Sequence, residues 1–263
     1  MNKILSFTLL VFRFLKNINY LLPNYILQSK FILKKNGKRI FTLRNWGGST
    51  AYRGKNFYTK EPETIAWINS FNKKYTFFDI GANIGIYSLY AAAININQIY
   101  SLEPSPLNFA CLNQNIYDNQ FQKKITAYPF ALHSVEKIGK LYIKNFKFGG
   151  SNSSFERNIG YNGRKFNAVI SVGTYSCTFD FFCKIINKTP HYVKIDVDGN
   201  ELNVIMGMKK NLLKNIKSIL IELNISFYEH IKIIKILEGY KFKIISKNNN
   251  IKNNETSNYI FSK

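Results

Sequence analysis

Cysteine, histidine and acidic residues are scarce in this 263-residue sequence, and each scarcity argues against a class of site. The three cysteines, Cys111, Cys177 and Cys183, are an odd number and contain no C-x-x-C pair. Neither a disulfide framework nor a zinc knuckle is therefore expected. The three histidines show no metal-ligand spacing. We expect a protein of the reducing cytoplasm that carries no resident metal ion.

Long apolar runs are also missing near the N-terminus. The apolar run at residues 4–12 ends at Arg13 and is far shorter than the roughly 20 residues of a membrane span. No small-residue cleavage site follows it, so neither a transmembrane helix nor a signal peptide is expected. A helix over residues 1–20, flanked by Lys3 and Lys16, fits either packing on its own domain or peripheral contact with an acidic membrane surface.

The shortage of acidic residues leaves a formal net charge of +22, from 37 Lys and Arg against 15 Asp and Glu. Such a charge attracts nucleic acids, anionic glycans or acidic membranes. The lysines are scattered along the chain, which favours a general bias towards Lys, Asn and Ile over a dedicated basic arm. A nucleic-acid-binding protein or a nucleic-acid methyltransferase is the alternative that the charge alone suggests.

Strands and helices are predicted to alternate along most of the chain. Helices are expected to begin near residues 84, 107, 202 and 227 and to separate the strands, which indicates right-handed crossovers and a mostly parallel sheet with helices on both faces. The last strand is expected to be antiparallel, and residues 140–143 and 167–172 predict a small β insertion between strands three and four. The seven predicted core strands are residues 75–80, 98–103, 125–132, 192–197, 218–223, 241–246 and 258–262.

The stretch FFDIGANIG (77–85) indicates a buried strand that turns through glycines into a helix. Asp79 ends the strand, and Gly81 and Gly85 allow a tight turn that a ligand can approach closely. Asn83 is placed to cap the following helix. The turn lacks the middle glycine of the dinucleotide fingerprint and the G-K-[ST] of a phosphate loop. A pyrophosphate ligand, and with it an NAD(P)-dependent oxidoreductase, is therefore disfavoured.

Two further groups of polar residues follow later strands. Glu103 ends the second strand, where a carboxylate can accept hydrogen bonds from both hydroxyl groups of a ribose. In VKIDVDGNE (193–201), Lys194 and Asp196 lie on one side of a buried strand and are expected to pair, because unpaired charges there are costly. The strands should bring Asp196 and Asp198 to the same sheet edge as Glu103.

The same edge could alternatively hold a divalent cation. Asp196, Asp198, Glu222 and Asn224 offer the oxygen ligands that Mg²⁺ prefers. We treat this as the weaker interpretation of the acidic residues and expect no metal site.

Taken together, the motifs resemble those of the FkbM family of S-adenosylmethionine-dependent methyltransferases. The likeness spans roughly residues 55–245, and residues 59–68 are similar to the segment that precedes the first motif in many members. The other matching stretches are 77–88, 102–115, 151–155, 178–182 and 193–207, the last resembling the family's K-I-D-x-E-G-x-E block. One departure is Asp198, which stands where the family usually has Glu.

The resemblance implies a class I, Rossmann-like methyltransferase domain over residues 56–263, after a helical or irregular extension over residues 1–55. The cofactor would be S-adenosylmethionine, with the ribose hydroxyls on Glu103. The acceptor would be a hydroxyl group of a saccharide or glycan precursor, as in polysaccharide biosynthesis, with no nucleic-acid partner. A catalytically inactive homologue is a further alternative. The residues implied to lie under the methionine and ribose parts of the cofactor are Asp79, Gly81, Asn83 and Gly85.

O-methyl transfer requires a base, because a sugar hydroxyl is a poor nucleophile until it loses its proton. Asp196 is the first candidate, Asp198 the second, and His133, just past the third strand, the third. Lys194 is expected to keep the Asp196 carboxylate ionised and oriented.

Overall fold

A computed structural model describes residues 29–249 and 256–263 of the chain. The membrane contact expected of residues 1–20 lies outside these ranges. Within them, no helix combines the length and the apolar character that crossing a bilayer requires.

Thirteen strands and nine helices are formed by the described residues. The strands are β1 (Lys30–Lys35), β2 (Lys38–Arg44), β3 (Phe77–Ile80), β4 (Ile99–Leu102), β5 (Ile125–Tyr128), β6 (Ala131–Leu132), β7 (Lys137–Ile143), β8 (Ser153–Phe155), β9 (Ile170–Cys177), β10 (Tyr192–Ile195), β11 (Ser218–Leu223), β12 (Lys243–Asn249) and β13 (Ser257–Ser262). The helices are α1 (Gly48–Lys55), α2 (Phe57–Lys60), α3 (Pro62–Asn69), α4 (Ile86–Ala93), α5 (Pro106–Asp118), α6 (Phe179–Ile185), α7 (Glu201–Met206), α8 (Lys209–Lys214) and α9 (Tyr228–Gly239).

The main sheet has seven strands among the described residues, in the order β12-β13-β11-β10-β3-β4-β5. Strands β11, β10, β3, β4 and β5 are parallel, and β13 runs antiparallel to both β11 and β12. This confirms the predicted α/β fold with its antiparallel last strand. The central strands are apolar along most of their length because helices cover both faces.

Two apolar layers enclose the sheet. One contains α3, α4, α5 and the strands β1 and β2, and the other contains α6, α7, α8 and α9. A polar row crosses the first layer, where the register pairs Asp79 with Ser101 on one side and with Lys194 on the other. Side chains alternate between the faces of a strand, so this row lies on the same face as Phe77.

Residues 30–44 form a β-hairpin, which differs from the helical or irregular extension expected there. Asn36 and Gly37 both have positive φ, 49° and 76°, as a two-residue hairpin turn requires. Leu33 and Phe41 are buried against the first apolar layer. The Asn-Gly pair between alternating apolar residues was a hairpin signal in the sequence.

Two predicted elements are interrupted by single residues. The third strand stops before Pro129, which has no N–H to donate, and the chain then enters a second sheet at β6. The helix expected over residues 202–212 breaks at Gly207 into α7 and α8. A side chain at Gly207 would lie 2.4 Å from the His133 carbonyl oxygen, so only glycine fits at the point where the helix is interrupted.

The predicted small β insertion between core strands three and four is confirmed. It is a four-stranded sheet in the order β6-β9-β7-β8, larger than a hairpin. Its β7–β8 connection, residues 144–152, extends towards the carboxyl ends of the core strands.

Candidate active site

A cavity of about 910 Å³ opens at the carboxyl ends of β3, β4, β10 and β11. This edge is where a parallel sheet exposes the backbone and side chains that follow its strands. Helices α1 and α2, the β7–β8 connection and residues of the small sheet supply further walls. Five of the candidate catalytic and cofactor-binding residues line the cavity: Gly81, Asn83, Glu103, Asp196 and Asp198.

The turn after β3 is held close to the end of β10. Gly81 has a φ of 79°, and a side chain at this position would lie 1.8 Å from the Asp196 carbonyl oxygen. Asn83 does not cap the following helix, whose N-cap residue is Gly85. Its side-chain amide instead donates to the Gly150 carbonyl at 2.7 Å. The turn therefore contacts both the fourth core strand and the β insertion.

Glu103 follows β4, lies beside the turn after β3 and is buried. Its two carboxylate oxygens accept the backbone N–H groups of Asn83, at 2.7 Å, and of Ser105, at 2.8 Å. Burial raises its pKa to about 7, although these two hydrogen bonds favour the ionised form. The carboxylate retains unused lone pairs, because two oxygens offer about four acceptor positions.

Asp79 and Gly85 are not among the residues that line the cavity. Asp79 is buried beneath the turn, where Ser88 donates to it at 2.6 Å and its other carboxylate oxygen makes no hydrogen bond. Burial raises its pKa. Gly85 packs under α5, since a side chain there would lie 2.3 Å from Leu112. Both residues shape the turn from below.

Lys194 and Asp196 form the expected ion pair, with the ammonium 2.9 Å from the carboxylate. Burial alone would lower the pKa of Lys194, but Asp196, Asp79 and Glu61 surround its ammonium and raise it. The lysine side chain is 3% exposed and that of Asp196 is 35% exposed. Lys194 is therefore a fixed buried cation, and Asp196 presents its carboxylate to the cavity.

Asp198 has a left-handed backbone with a φ of 53°, a region in which Asp is favoured over most residues. This conformation suits the Asp found where the FkbM motif usually has Glu. The Asp198 carboxylate accepts the backbone N–H groups of Asn152 and Ser153, at 2.7 and 3.3 Å. Burial, together with the nearby Asp196 carboxylate, raises its pKa to about 7.

Residues 147–153, which we call the strap, cross the cavity from α5 to the turn after β10. At one end the Asn108 side chain accepts the Gly149 N–H and donates to the Gly150 carbonyl, each at 3.0 Å. At the other end the strap is held by Asp198. Several of its residues line the cavity. The strap was not predicted, because its anchors lie far from it in sequence.

His133 lies outside the lining of the cavity. Its ring packs on Phe155 at 5.5 Å, and burial and the charge of Lys137 lower its pKa. A base role for His133 finds no support in this geometry.

The four alternative magnesium ligands do not all reach the cavity. The Asn224 side chain accepts the Ser226 N–H at 2.9 Å and does not line the cavity. Within residues 29–249 and 256–263, no group of three or more His, Cys, Asp or Glu side chains is arranged to hold a metal ion.

Sequence reasoning missed Glu61 and Tyr87, which lie beside the Lys194 ammonium, and Lys60, which pairs with Glu61. Glu61 contacts Lys60 and hydrogen-bonds to Tyr87, and the Tyr87 ring lies 5.2 Å from the ammonium. Burial alone would raise the pKa of Glu61, but Lys60 and Lys194 lower it to about 2. These residues lie in stretches that match family motifs, but nothing in those stretches indicates that they meet, which happens only when α2 and α4 pack on the sheet.

Glu222, considered above only as a magnesium ligand, also lines the cavity. Burial, followed by the charges of Asp196 and Glu61, raises its pKa well above the usual range. The sequence did carry a signal for it, since SILIEL places one charged residue inside an otherwise apolar strand.

Comparisons with known proteins show the family and the fold of this chain. A family model described as Methyltransferase FkbM domain matches residues 79–244, which is more than half of the chain. The structure is similar to that of a methyltransferase FkbM from Methylobacillus flagellatus KT, with a TM-score of 0.52 and 15% identity over 81% of this chain. The aligned part is 53% of that protein, so this chain spans about half of its length.

A second similar structure is the fibrillarin of Aeropyrum pernix, crystallised with natively bound S-adenosyl-L-methionine. The TM-score is 0.50 and the identity 10%, over 89% of this chain and 83% of that one. At such low identities, the two structural similarities establish a shared fold and nothing further. No curated protein matches the chain in sequence.

Proposed function

Since the chain belongs to the FkbM methyltransferase family, we propose that it is an S-adenosylmethionine-dependent O-methyltransferase whose acceptor is a hydroxyl group of a saccharide or glycan precursor. The observation that carries the proposal is the contact between Gly81 and the Asp196 backbone. It brings a glycine turn suited to a cofactor and a carboxylate suited to a base into one cavity.

The residues present fit this cofactor. Gly81 lines the cavity with its backbone, and Glu103 lies where its free lone pairs can accept two ribose hydroxyls. The turn offers no set of free N–H groups for phosphates, because the Asn83 N–H is already bound by Glu103. S-adenosylmethionine carries no phosphate, which agrees with this arrangement. When bound, the cofactor supplies an electrophilic methyl group on a sulfonium.

The chain itself would supply the base and its orientation. Asp196 accepts the proton of the acceptor hydroxyl, and Lys194 holds the carboxylate at 2.9 Å. A positioned general base contributes about 10²- to 10⁴-fold to such a reaction. Asp198 holds the strap and the turn after β10 in place, which makes it a positioning residue in this mechanism.

The raised pKa values of two carboxyl groups that line the cavity support a hydroxylated, uncharged acceptor. Glu222 and Asp198 both have raised pKa values, so they offer hydrogen-bonding carboxyl groups with reduced negative charge. Groups of this kind bind sugar hydroxyls. The glycan acceptor also follows from the family resemblance, in which such substrates are common.

Two measurements test the proposal. Isothermal titration calorimetry should show binding of S-adenosylmethionine and S-adenosylhomocysteine and no binding of NAD. Methyl transfer from labelled cofactor should then be detected with a panel of methyl glycosides and bacterial glycans and not with RNA. Micromolar NAD binding without a response to S-adenosylmethionine contradicts the cofactor, and transfer to RNA alone contradicts the acceptor.

A further inference from the structure

Four groups leave the sheet at its carboxyl edge in the order of the strands. Glu103 follows β4, the Gly81 turn follows β3, Asp196 follows β10, and Glu222 lies near the end of β11. Adjacent strands lie about 4.8 Å apart. In the proposed function Glu103 and Gly81 belong to the cofactor half of the cavity. Glu222 therefore lies beyond Asp196 on the side away from the cofactor, where the acceptor must bind.

Asp196 and Glu222 are neighbours at this edge. The register pairs Ile195 with Ile221 in parallel strands, and the two acidic residues are the next residue on each strand. Both line the cavity. Asp196 is bound by Lys194, whereas the Glu222 carboxyl group makes no hydrogen bond within the described part of the chain. Glu222 is thus a polar group inside the cavity that the fold does not use.

The surroundings of Glu222 favour its neutral form. Burial is the largest influence, and the carboxylates of Asp196, Glu61 and Asp198 add to it. The cation facing it is Lys60, which is already in contact with Glu61. These influences favour the protonated form of the Glu222 side chain, which offers one O–H donor and one carbonyl acceptor.

We propose that Glu222 determines acceptor specificity by binding a second hydroxyl group of the acceptor, on the carbon next to the one whose hydroxyl is methylated. The inference rests on the proposed function, because it takes Asp196 as the base for the first hydroxyl. Adjacent strands lie about 4.8 Å apart, so two flexible side chains at neighbouring strand ends can converge on two hydroxyl groups of one small acceptor. The acceptor is accordingly a vicinal diol, as found in a pyranose ring with neighbouring free hydroxyls.

Two substitutions separate a neutral binding group from an ionised one. Glu222→Gln keeps the size, an N–H donor and a carbonyl acceptor, so it should retain diol binding. Glu222→Leu keeps similar bulk and removes both hydrogen-bonding groups, so it should lose diol binding. Glu238→Gln, at an exposed position on α9, is the matched control.

The binding probes are cis- and trans-1,2-cyclohexanediol and cyclohexanol, titrated by NMR into full-length protein saturated with S-adenosylhomocysteine. One diol should bind about two- to tenfold more tightly than cyclohexanol, the size of one neutral hydrogen bond. This preference should persist in Glu222→Gln and disappear in Glu222→Leu. Equal binding of all three probes by the wild type overturns the inference, as does loss of the preference in Glu222→Gln.

Infrared difference spectra test the protonation state without any acceptor. At neutral pH the wild type minus Glu222→Gln difference spectrum should contain the C=O band of a protonated carboxyl group. The wild type minus Glu238→Gln difference spectrum should not contain it. Absence of that band overturns the inference. Failure of S-adenosylhomocysteine to bind the wild type would instead contradict the proposed function, so the two failures are distinguishable.

Discussion

Carboxyl groups at one site of this protein differ in pKa because their neighbours differ. Burial alone would raise the pKa of Glu61, but two ammonium groups lower it to about 2. Burial raises the pKa of Glu103 to about 7 against the opposing charge of Arg53, and burial together with the Asp196 carboxylate raises that of Asp198 to about 7. Groups with such displaced pKa values are concentrated at functional sites. Each therefore gives a separate test with a single substitution.

Glu103 should make cofactor binding depend on pH. The carboxylate accepts the ribose hydroxyls best when ionised, so affinity for S-adenosylmethionine should rise with pH up to about 7 and then level off. Glu103→Gln should remove this dependence and weaken binding by about 1.5–3 kcal/mol, the value of hydrogen bonds to a charged group. Calorimetry across a pH series measures both effects. An unchanged dissociation constant in Glu103→Gln would show that another residue binds the ribose.

Asp198 should make folding stability depend on pH in the opposite sense to an ordinary salt-bridged acid. Its pKa is raised from 3.8 to about 7, so the folded state binds the proton more tightly than the unfolded state between these values. The free energy of unfolding should therefore fall as pH rises through that window. Asp198→Asn cannot ionise and should gain stability relative to the wild type over the same range. Urea unfolding of both proteins across a pH series measures this. If the free energies of unfolding of the two proteins change with pH in parallel, the prediction is contradicted.

Asp196→Asn should lower the methyl-transfer rate by roughly 10²-fold or more while changing cofactor affinity little, because it removes a general base. Single-turnover transfer to an acceptor from the glycoside panel, with cofactor binding measured alongside, tests this. Asp198→Asn is the control and should cost less, since Asp198 binds the strap backbone. A wild-type methyl-transfer rate in Asp196→Asn, or loss of its cofactor binding, would exclude Asp196 as the base.

At the scale of secondary-structure elements, the site depends on how closely the turn after β3 approaches β10. Strands β3 and β10 are adjacent and parallel, and the Asp196 N–H donates to the Ile80 carbonyl at 3.0 Å. Only a residue without a side chain fits at Gly81, given its positive φ and its distance from the Asp196 carbonyl. The base and the cofactor turn are therefore positioned by one contact.

Gly81→Ala should consequently disturb both stability and cofactor binding. We expect a loss of about 1–3 kcal/mol from the strained backbone, plus the cost of displacing the end of β10. Gly173→Ala on β9 is the matched control, because no atom lies within 4 Å of the added carbon. Thermal denaturation and calorimetry of both variants measure the effects. A Gly81→Ala protein as stable as Gly173→Ala would contradict the observed packing.

At the scale of the whole molecule, the N-terminal hairpin is part of the core. Leu33, Phe41 and Leu43 contribute to the layer that contains α4 and α5. Arg44 adds an ion pair to Asp118 at 2.9 Å. Each buried apolar side chain contributes about 1.5–3 kcal/mol, which is large against a total stability of about 5–15 kcal/mol. The domain therefore depends on residues well before its first motif.

Two truncations should have contrasting effects. Deleting residues 1–20 should leave S-adenosylmethionine binding intact, because all the motifs lie downstream of this segment. Deleting residues 1–46 should abolish cooperative folding by removing the hairpin. Thermal melts and calorimetry of both proteins provide the comparison. A strong loss of binding in the shorter deletion would assign the first 20 residues to the site.

The sequence by itself determined the class of fold and the edge at which the site lies. Periodicity in stretches such as SILIEL depends on near neighbours in the chain, and parallel strands bring their carboxyl ends to one edge. Gly81, Glu103 and Asp196 could therefore be placed together before their side-chain contacts were known. The hairpin at Asn36 and Gly37 also had a local signal, and it went unrecognised.

Only the tertiary structure decided which polar groups face the cavity and which support it. Asp79, expected beneath the cofactor, does not line the cavity and is buried among Ser88, Ser101 and Lys194. Asn83 bonds to Gly150, 67 residues away, where a helix cap was expected. Contacts of this kind join segments far apart in the chain, and they depend on how closely helices, strap and sheet pack. No local sequence pattern encodes how closely these distant segments pack.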